Sequence, residues 1–186
     1  MDLRARPIRL VITGVESTGK STLASAIARH FNYPLALEAA RYDEKIQSGT
    51  FDIKDLNRLT EAQFNAAKEA QQKAETTGSG GMVSDTGGLV LEMWGDTVFG
   101  EIPEGSRDLQ HWFDLHIVCP PDIPWEADVL RSLPNPEDRM ALHNRYIQRL
   151  EGAGVNWVQT KGSAPLERFL FTIQAIQMAL NRHINE

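Results

Sequence analysis

Cysteine is nearly absent from this chain. Cys119 is the only one in 186 residues, so no intramolecular disulfide can form. It stands in the apolar run His116-Ile117-Val118-Cys119, just before Pro120-Pro121. That setting suits a small core residue better than a reactive thiol. The five histidines fall at no metal-ligand spacing, which argues against a histidine-built zinc centre. No segment approaches the ~18 uninterrupted apolar residues of a membrane-crossing helix. Met1 to Pro7 holds Asp2, Arg4 and Arg6 and no apolar stretch, so no secretory leader is legible there. Positive charge is also scarce: 19 Lys and Arg stand against 25 Asp and Glu, a net charge of -6. An acidic chain is a poor general binder of nucleic acid. The expectation is a cytoplasmic protein whose partner is a small molecule, with neither membrane nor nucleic acid involved. The sequence leaves its oligomeric state open.

What the chain does have is ordinary globular composition, 41% hydrophobic and 24% charged, and enough length for one domain spanning residues 1–186. It also has Gly14-Val15-Glu16-Ser17-Thr18-Gly19-Lys20-Ser21-Thr22. The run fits G-x-x-x-x-G-K-[ST], the phosphate-binding P-loop. Arg9 to Thr13 before it reads as a buried strand. Leu23, Ala24, Ile27, Ala28 and Phe31 after it recur at helical spacing. Strand, glycine turn and helix are the context the motif requires. Gly14 and Gly19 permit backbone angles that a side chain resists. Successive N–H groups and the positive end of the helix then face one anion. Lys20 is expected on the β and γ phosphates and Ser21 on Mg²⁺, with Glu16, Ser17, Thr18 and Thr22 completing the ATP-binding run. No N-K-x-D run is present, which favours ATP over GTP.

Strand-like and helical segments alternate throughout. Strands are expected at Ile8 to Thr13, Pro34 to Glu38, Met82 to Asp85, Asp114 to Cys119 and Asn156 to Gln159. Helices are expected to about Phe31, from Asp55 to Thr76, Gly88 to Phe99, Asn135 to Leu150, and from Pro165 onward. Such alternation predicts a three-layer α/β fold with a parallel sheet. Ligands in such sheets bind beyond the carboxyl ends of the strands.

Several charged residues are expected at those ends. Glu38 follows the second strand and suits a proton acceptor for a substrate hydroxyl, a holder of a ribose hydroxyl, or an ordinary helix-start glutamate. Arg41, one turn on, can pair with Glu38 or with a substrate phosphate. Asp85 ends the third strand and suits either a Mg²⁺ carboxylate opposite Ser21 or a helix cap. Arg131 and Arg139 flank Leu133-Pro134-Asn135-Pro136, read as a loop between two helical pieces. They suit lid arginines that stabilise a transferring phosphoryl group, or salt-bridge partners of Glu137 and Asp138.

Taken together, GVESTGKST, EAARY, SDT and IPWEADVLRS with Arg139 following resemble the NadR-like P-loop kinases, a branch of the AAA-type ATPase domains. Pro124, Trp125, Asp128, Leu130 and Arg131 are the specific part of the match. The resemblance implies a five-stranded parallel sheet of the nucleoside and nucleotide kinase type. It implies ATP and Mg²⁺ as cofactors and transfer of the γ-phosphoryl group to a riboside hydroxyl, as in nicotinamide riboside kinases. It places the P-loop at Gly14 to Thr22, an acidic group at Glu38, a Mg²⁺ carboxylate at Asp85, lid arginines at Arg131 and Arg139, and a lid at about 124–140. The adenylyltransferase and DNA-binding parts of some relatives have no counterpart in the sequence. Three positions depart from the family pattern: Leu37 where an aromatic residue is common, Gly87 where an aspartate is, and Val129 where a glycine is. A second reading, an ATP-hydrolysing regulatory module without an acceptor, accommodates the first two.

Overall fold

Ile8–Thr13 form the central strand β1, and their alternation explains the layers. Ile8, Leu10 and Ile12 point to one face, where they pack on Leu23, Ala24 and Ile27 of helix α1 (Lys20–Phe31) and on Ile176 of α7 (Pro165–His183). Val11 points to the other face. A strand covered on both sides must be apolar nearly throughout, as this one is. The computed structural model describes residues 6–128, 130–162 and 164–183.

The chain continues through β2 (Leu35–Ala36), a 3-10 turn (Ala39–Tyr42), α2 (Glu44–Ser48) and α3 (Ile53–Thr77). It then passes through β3 (Gly81–Asp85), α4 (Gly88–Phe99), α5 (Ser106–Trp112), β4 (Leu115–Val118), α6 (Pro136–Ala153) and β5 (Trp157–Gln159) before α7. The five strands are parallel in the order β2-β3-β1-β4-β5. Helix α3 and residues of α4 and α5 bury Leu56, Leu59, Leu91 and Leu109 on the face opposite α1. Val118, Leu89, Met93, Tyr146 and Leu150 join α4 and α6 on that side. The register sets Ile12 beside Asp85 and Thr13 beside Val118. The loops after β1, β3 and β4 therefore leave the sheet at one level.

The expected strands and helices are present, with three differences. Helix α3 starts two residues early, because Asp52 accepts the Asp55 N–H while the Asp55 side chain accepts the Asp52 N–H, a reciprocal cap. Strand β2 is shorter, because the chain turns into the 3-10 segment after Glu38. No helical piece precedes the Pro-rich stretch: the described residues from 119 to 135 are irregular up to Asn135, whose side chain caps α6. Val129 lies outside the described residues. Cys119 is buried in the core as expected, and burial pushes its thiol up to about 11. No helix among the described residues is long and apolar enough to cross a membrane.

Asp114 ties the start of β4 to β1. Its carboxylate accepts the Arg9 N–H (2.8 Å) and pairs with Arg6 (2.6 Å) and Arg9 (2.9 Å). Burial pushes this carboxyl up, but the hydrogen bonds from Arg6 and Arg9 outweigh it and hold it well below the usual range. A depressed folded-state value stabilises the fold above the unfolded value near 3.9 and is lost as pH falls further. Asp114→Asn is expected to cost about 2 kcal/mol at pH 7 and to flatten the loss of stability below about pH 4. Urea midpoints from pH 7 down to pH 2.5 check this.

Candidate active site

The loop after β1 turns sharply away from the sheet. Gly14 has φ +134°, and a Cβ there would stand 2.5 Å from the Cys119 carbonyl. Both the angle and the space require glycine. Ser17 (φ 54°) and Gly19 (φ 77°) are left-handed, which alternates the backbone so that successive N–H groups converge. Helix α1 follows at once, and no side chain caps its first turn. Thr18 Oγ1 and Lys20 Nζ donate to the Val15 carbonyl at 2.9 and 2.8 Å. Thr22 is exposed on the first turn of α1.

Two carboxylates approach the loop from neighbouring strand ends. Asp85 is 4% exposed, and the Ser21 hydroxyl nearby favours its charged form. Its Oδ1 is buried with no hydrogen-bond partner. A hydroxyl and a carboxylate with a spare oxygen are hard donors that suit Mg²⁺, so the residues fit that ion. No three His, Cys, Asp or Glu side chains cluster among the described residues, so protein groups would supply only part of its shell. Glu38 pairs with Arg41 at 2.9 Å and receives a long hydrogen bond from the Thr86 hydroxyl, 3.5 Å. Burial pushes both carboxyls up. At Glu38 the Lys20 and Arg41 charges oppose that shift and Asp85 adds to it.

Gln63 of α3 holds the two strand ends in register, and nothing in its sequence setting marked it out. It is 1% exposed. Its Oε1 accepts the Ala39 N–H at 2.8 Å, and its Nε2 lies 3.3 Å from the Leu37 carbonyl and 3.1 Å from Ser84 Oγ. The amide thus spans the residues flanking Glu38 and the residue before Asp85. Thr86 is held at φ 80°, a strained angle for a β-branched residue.

Arg139 and Arg131 part company. Arg139 is not delivered by a loop and, among the described residues, makes no ion pair with Glu137 or Asp138. It lies in the first turns of α6, 2% exposed, and donates to the carbonyls of Ser17 (2.8 Å) and Ile123 (3.3 Å). A second buried arginine, Arg168 of α7, does the same for the Thr18 carbonyl (2.6 Å) and also bonds Asp122. The sequence reading missed Arg168, because a lone arginine on an amphipathic helix carries no motif. Arg131 lies in the irregular segment and donates to the Glu126 carbonyl at 2.6 Å. Arg41 also reaches this segment, through Asp128 at 3.1 Å.

A cavity of about 350 Å³ opens between these parts. Gly14, Glu16, Lys20, Glu38 and Arg131 line its polar end, and Phe51, Val90, Met93, Trp94, Leu133 and Leu142 its apolar end. Asp85, Arg41 and Arg139 stand outside its lining. The rings of Phe51 and Trp94 meet edge to face at 5.2 Å. Leu37, where an aromatic was missed, is 50% exposed and faces a different groove beside α3. At Gly87 a Cβ would stand 2.8 Å from Val11 and 3.0 Å from Phe113, so core side chains occupy the room an aspartate would need.

Gln63→Leu keeps the volume but leaves the Ala39 N–H and neighbouring carbonyls without their partner. It is expected to destabilise the fold by about 1–3 kcal/mol, measured by urea unfolding, and a neutral result would show the amide to be dispensable.

The AAA domain family profile matches residues 9–168. The trifunctional NAD biosynthesis/regulator protein NadR of Salmonella typhimurium is 28% identical over 179 residues, covering 90% of this chain and 42% of that protein. The chain thus spans less than half the length of this curated relative. The crystal structure of NadR in complex with NR superimposes with a TM-score of 0.68 at 23% identity, over 95% of this chain and 52% of that one. Deoxyadenosine kinase from M. mycoides with bound dCTP gives 0.56 at 12% identity, over 92% and 100%. The chain belongs to the AAA domain family, and its fold is the P-loop fold that NadR and the deoxyadenosine kinase share.

Proposed function

We propose that this protein is an ATP-dependent kinase that transfers the γ-phosphoryl group to a hydroxyl of a nucleoside-like acceptor, a riboside by likeness to NadR. One observation carries the reading. A single cavity is lined by residues of the phosphate loop with Lys20, by the half-buried carboxylate of Glu38, and by Phe51 and Trp94. A hydrolytic switch needs no acceptor-sized, ring-lined chamber beyond its phosphate loop.

In this reading Lys20 and the loop N–H groups hold the β and γ phosphates. Glu38 accepts the proton of the acceptor hydroxyl as its oxygen bonds to the terminal phosphorus and the bond to the β-phosphate oxygen breaks, leaving ADP. Its carboxyl, raised by burial, is a stronger base than a solvated glutamate. Arg41 keeps Glu38 aimed, and Arg131 stabilises charge on the transferring group. Ser21 and Asp85 would hold Mg²⁺, which supplies charge neutralisation on the phosphates. Phe51 and Trp94 take the role that an aromatic at position 37 could not fill here, since Leu37 faces elsewhere. The acceptor's ring lies against them.

A panel of ribosides, deoxynucleosides and related alcohols, followed by ADP release, tests the reading. Glu38→Gln is expected to slow transfer roughly 10²-fold or more with little change in ATP affinity. No acceptor-stimulated turnover, with basal hydrolysis indifferent to Glu38→Gln, would favour the regulatory ATPase. Trp94→Ala is expected to raise the acceptor KM roughly 5- to 100-fold while leaving the ATP KM within about twofold, given the usual worth of base stacking on an aromatic ring. Steady-state kinetics in each substrate separates the two. Lys20→Ala is expected to lower affinity for a non-hydrolysable ATP analogue at least roughly tenfold by calorimetry.

A further inference from the structure

The loop that gathers phosphates carries a carboxylate of its own, Glu16. An unpartnered anion there would repel the ligand the loop is shaped for. Glu16 is instead occupied by three N–H donors, all from the irregular segment before α6. The Trp125 indole donates to Oε1 at 2.8 Å, the Leu133 backbone to Oε1 at 2.7 Å and the Ser132 backbone to Oε2 at 2.8 Å. Two of these donors directly follow Arg131 in the chain. The adjoining loop residue adds to the seam, since Ser17 Oγ accepts the Glu126 N–H at 3.0 Å. The Arg131 guanidinium donates to the Glu126 carbonyl within the same segment and lies 4.0 Å from the Asp128 carboxylate, and its backbone N–H donates to the Asp128 carbonyl. Among the described residues its side chain bonds only within this segment, so its place at the cavity mouth is set by what fastens its backbone.

We propose that Glu16 is a positioning residue: its carboxylate fastens Trp125, Ser132 and Leu133 to the phosphate loop and so holds the Arg131 guanidinium over the cavity. The proposal rests on the reading of Arg131 as a charge-stabilising group, but the fastening itself does not. Docking also satisfies the Glu16 charge. A carboxylate is required because three donors converge on it. In glutamine one oxygen is replaced by an NH₂ group that meets the backbone N–H groups donor to donor.

Two measurements test this. In the first, trypsin cleavage at the Arg131–Ser132 bond is followed by mass spectrometry. Glu16→Gln is expected to speed that cut roughly tenfold relative to cuts elsewhere in the chain, since a held segment opens to protease by local release. Trp125→Phe, which removes one donor and keeps a ring, is expected to give a smaller increase at the same bond. No increase at that bond in either variant, or an equal increase at every site in both, overturns the fastening. In the second, transfer to an acceptor found in the panel is compared in Glu16→Gln, Arg131→Ala and the double variant. Both single variants are expected to lose roughly 10- to 100-fold in kcat with ATP KM within about threefold, and the double variant to lose no more than Arg131→Ala alone. Glu16→Asp, which keeps the charge, should recover part of the loss. Additive losses overturn the positioning role. A chain that transfers to no acceptor but still shows the Arg131 cut accelerated by Glu16→Gln would sink the kinase reading and leave the fastening standing.

Discussion

A loop that turns its N–H groups toward one point turns its carbonyls away from it, and those carbonyls must find donors where water is excluded. The rest of this structure is arranged around that constraint. The Val15 carbonyl is met locally, by Thr18 and Lys20. The Ser17 and Thr18 carbonyls are met from far away in sequence, by Arg139 of α6 and Arg168 of α7. Guanidinium suits the task, since it stays charged and presents several donors in a fixed plane. The two arginines thereby lock the helices on opposite faces of the sheet to the loop between β1 and α1. They also explain why the irregular segment between β4 and α6 lies where it does, because Arg139 reaches the Ile123 carbonyl and Arg168 reaches Asp122.

The carboxylates depend on a second device of the same kind. Glu38 and Asp85 belong to neighbouring strands, and burial raises both. Two acids near each other tend to share protons rather than ionise together. Lys20 and Arg41 counter that tendency by charge. Gln63 contributes geometry, since one neutral amide spans both strand ends without adding charge. The site therefore combines cations that tune the acids with a neutral group that places them.

The departures from the family pattern look different once packing is known. The missing aromatic at Leu37 and the missing acid at Gly87 fit an ATP-hydrolysing module without an acceptor. In the fold, Leu37 points away from the cavity, and the space beside Gly87 is filled by Val11 and Phe113. The ring-bearing wall comes from Phe51 and Trp94, residues from two other elements with no motif between them. The apolar stripe on α4 supplies part of that wall through Val90, Met93 and Trp94. Periodicity reports which residues share a helix face; it does not report whether that face meets a neighbour or a cavity.

The sequence by itself determined the layers, the strand and helix order, and the phosphate loop. Those depend on local causes: period-2 and period-3.6 apolar patterns, glycines where φ must be positive, and an Asn-Pro helix start. It also placed Glu38 and Asp85 at adjacent strand ends, facing the loop and helix that follow β1, because a parallel sheet brings its carboxyl ends to one edge. Only the tertiary structure decided the roles of Arg139, Arg168, Gln63 and Glu16. Each acts on a partner 21 to 150 residues away in the chain. The need for a donor or an acceptor at such a distance is created by packing, and leaves no spacing in the sequence from which it can be read.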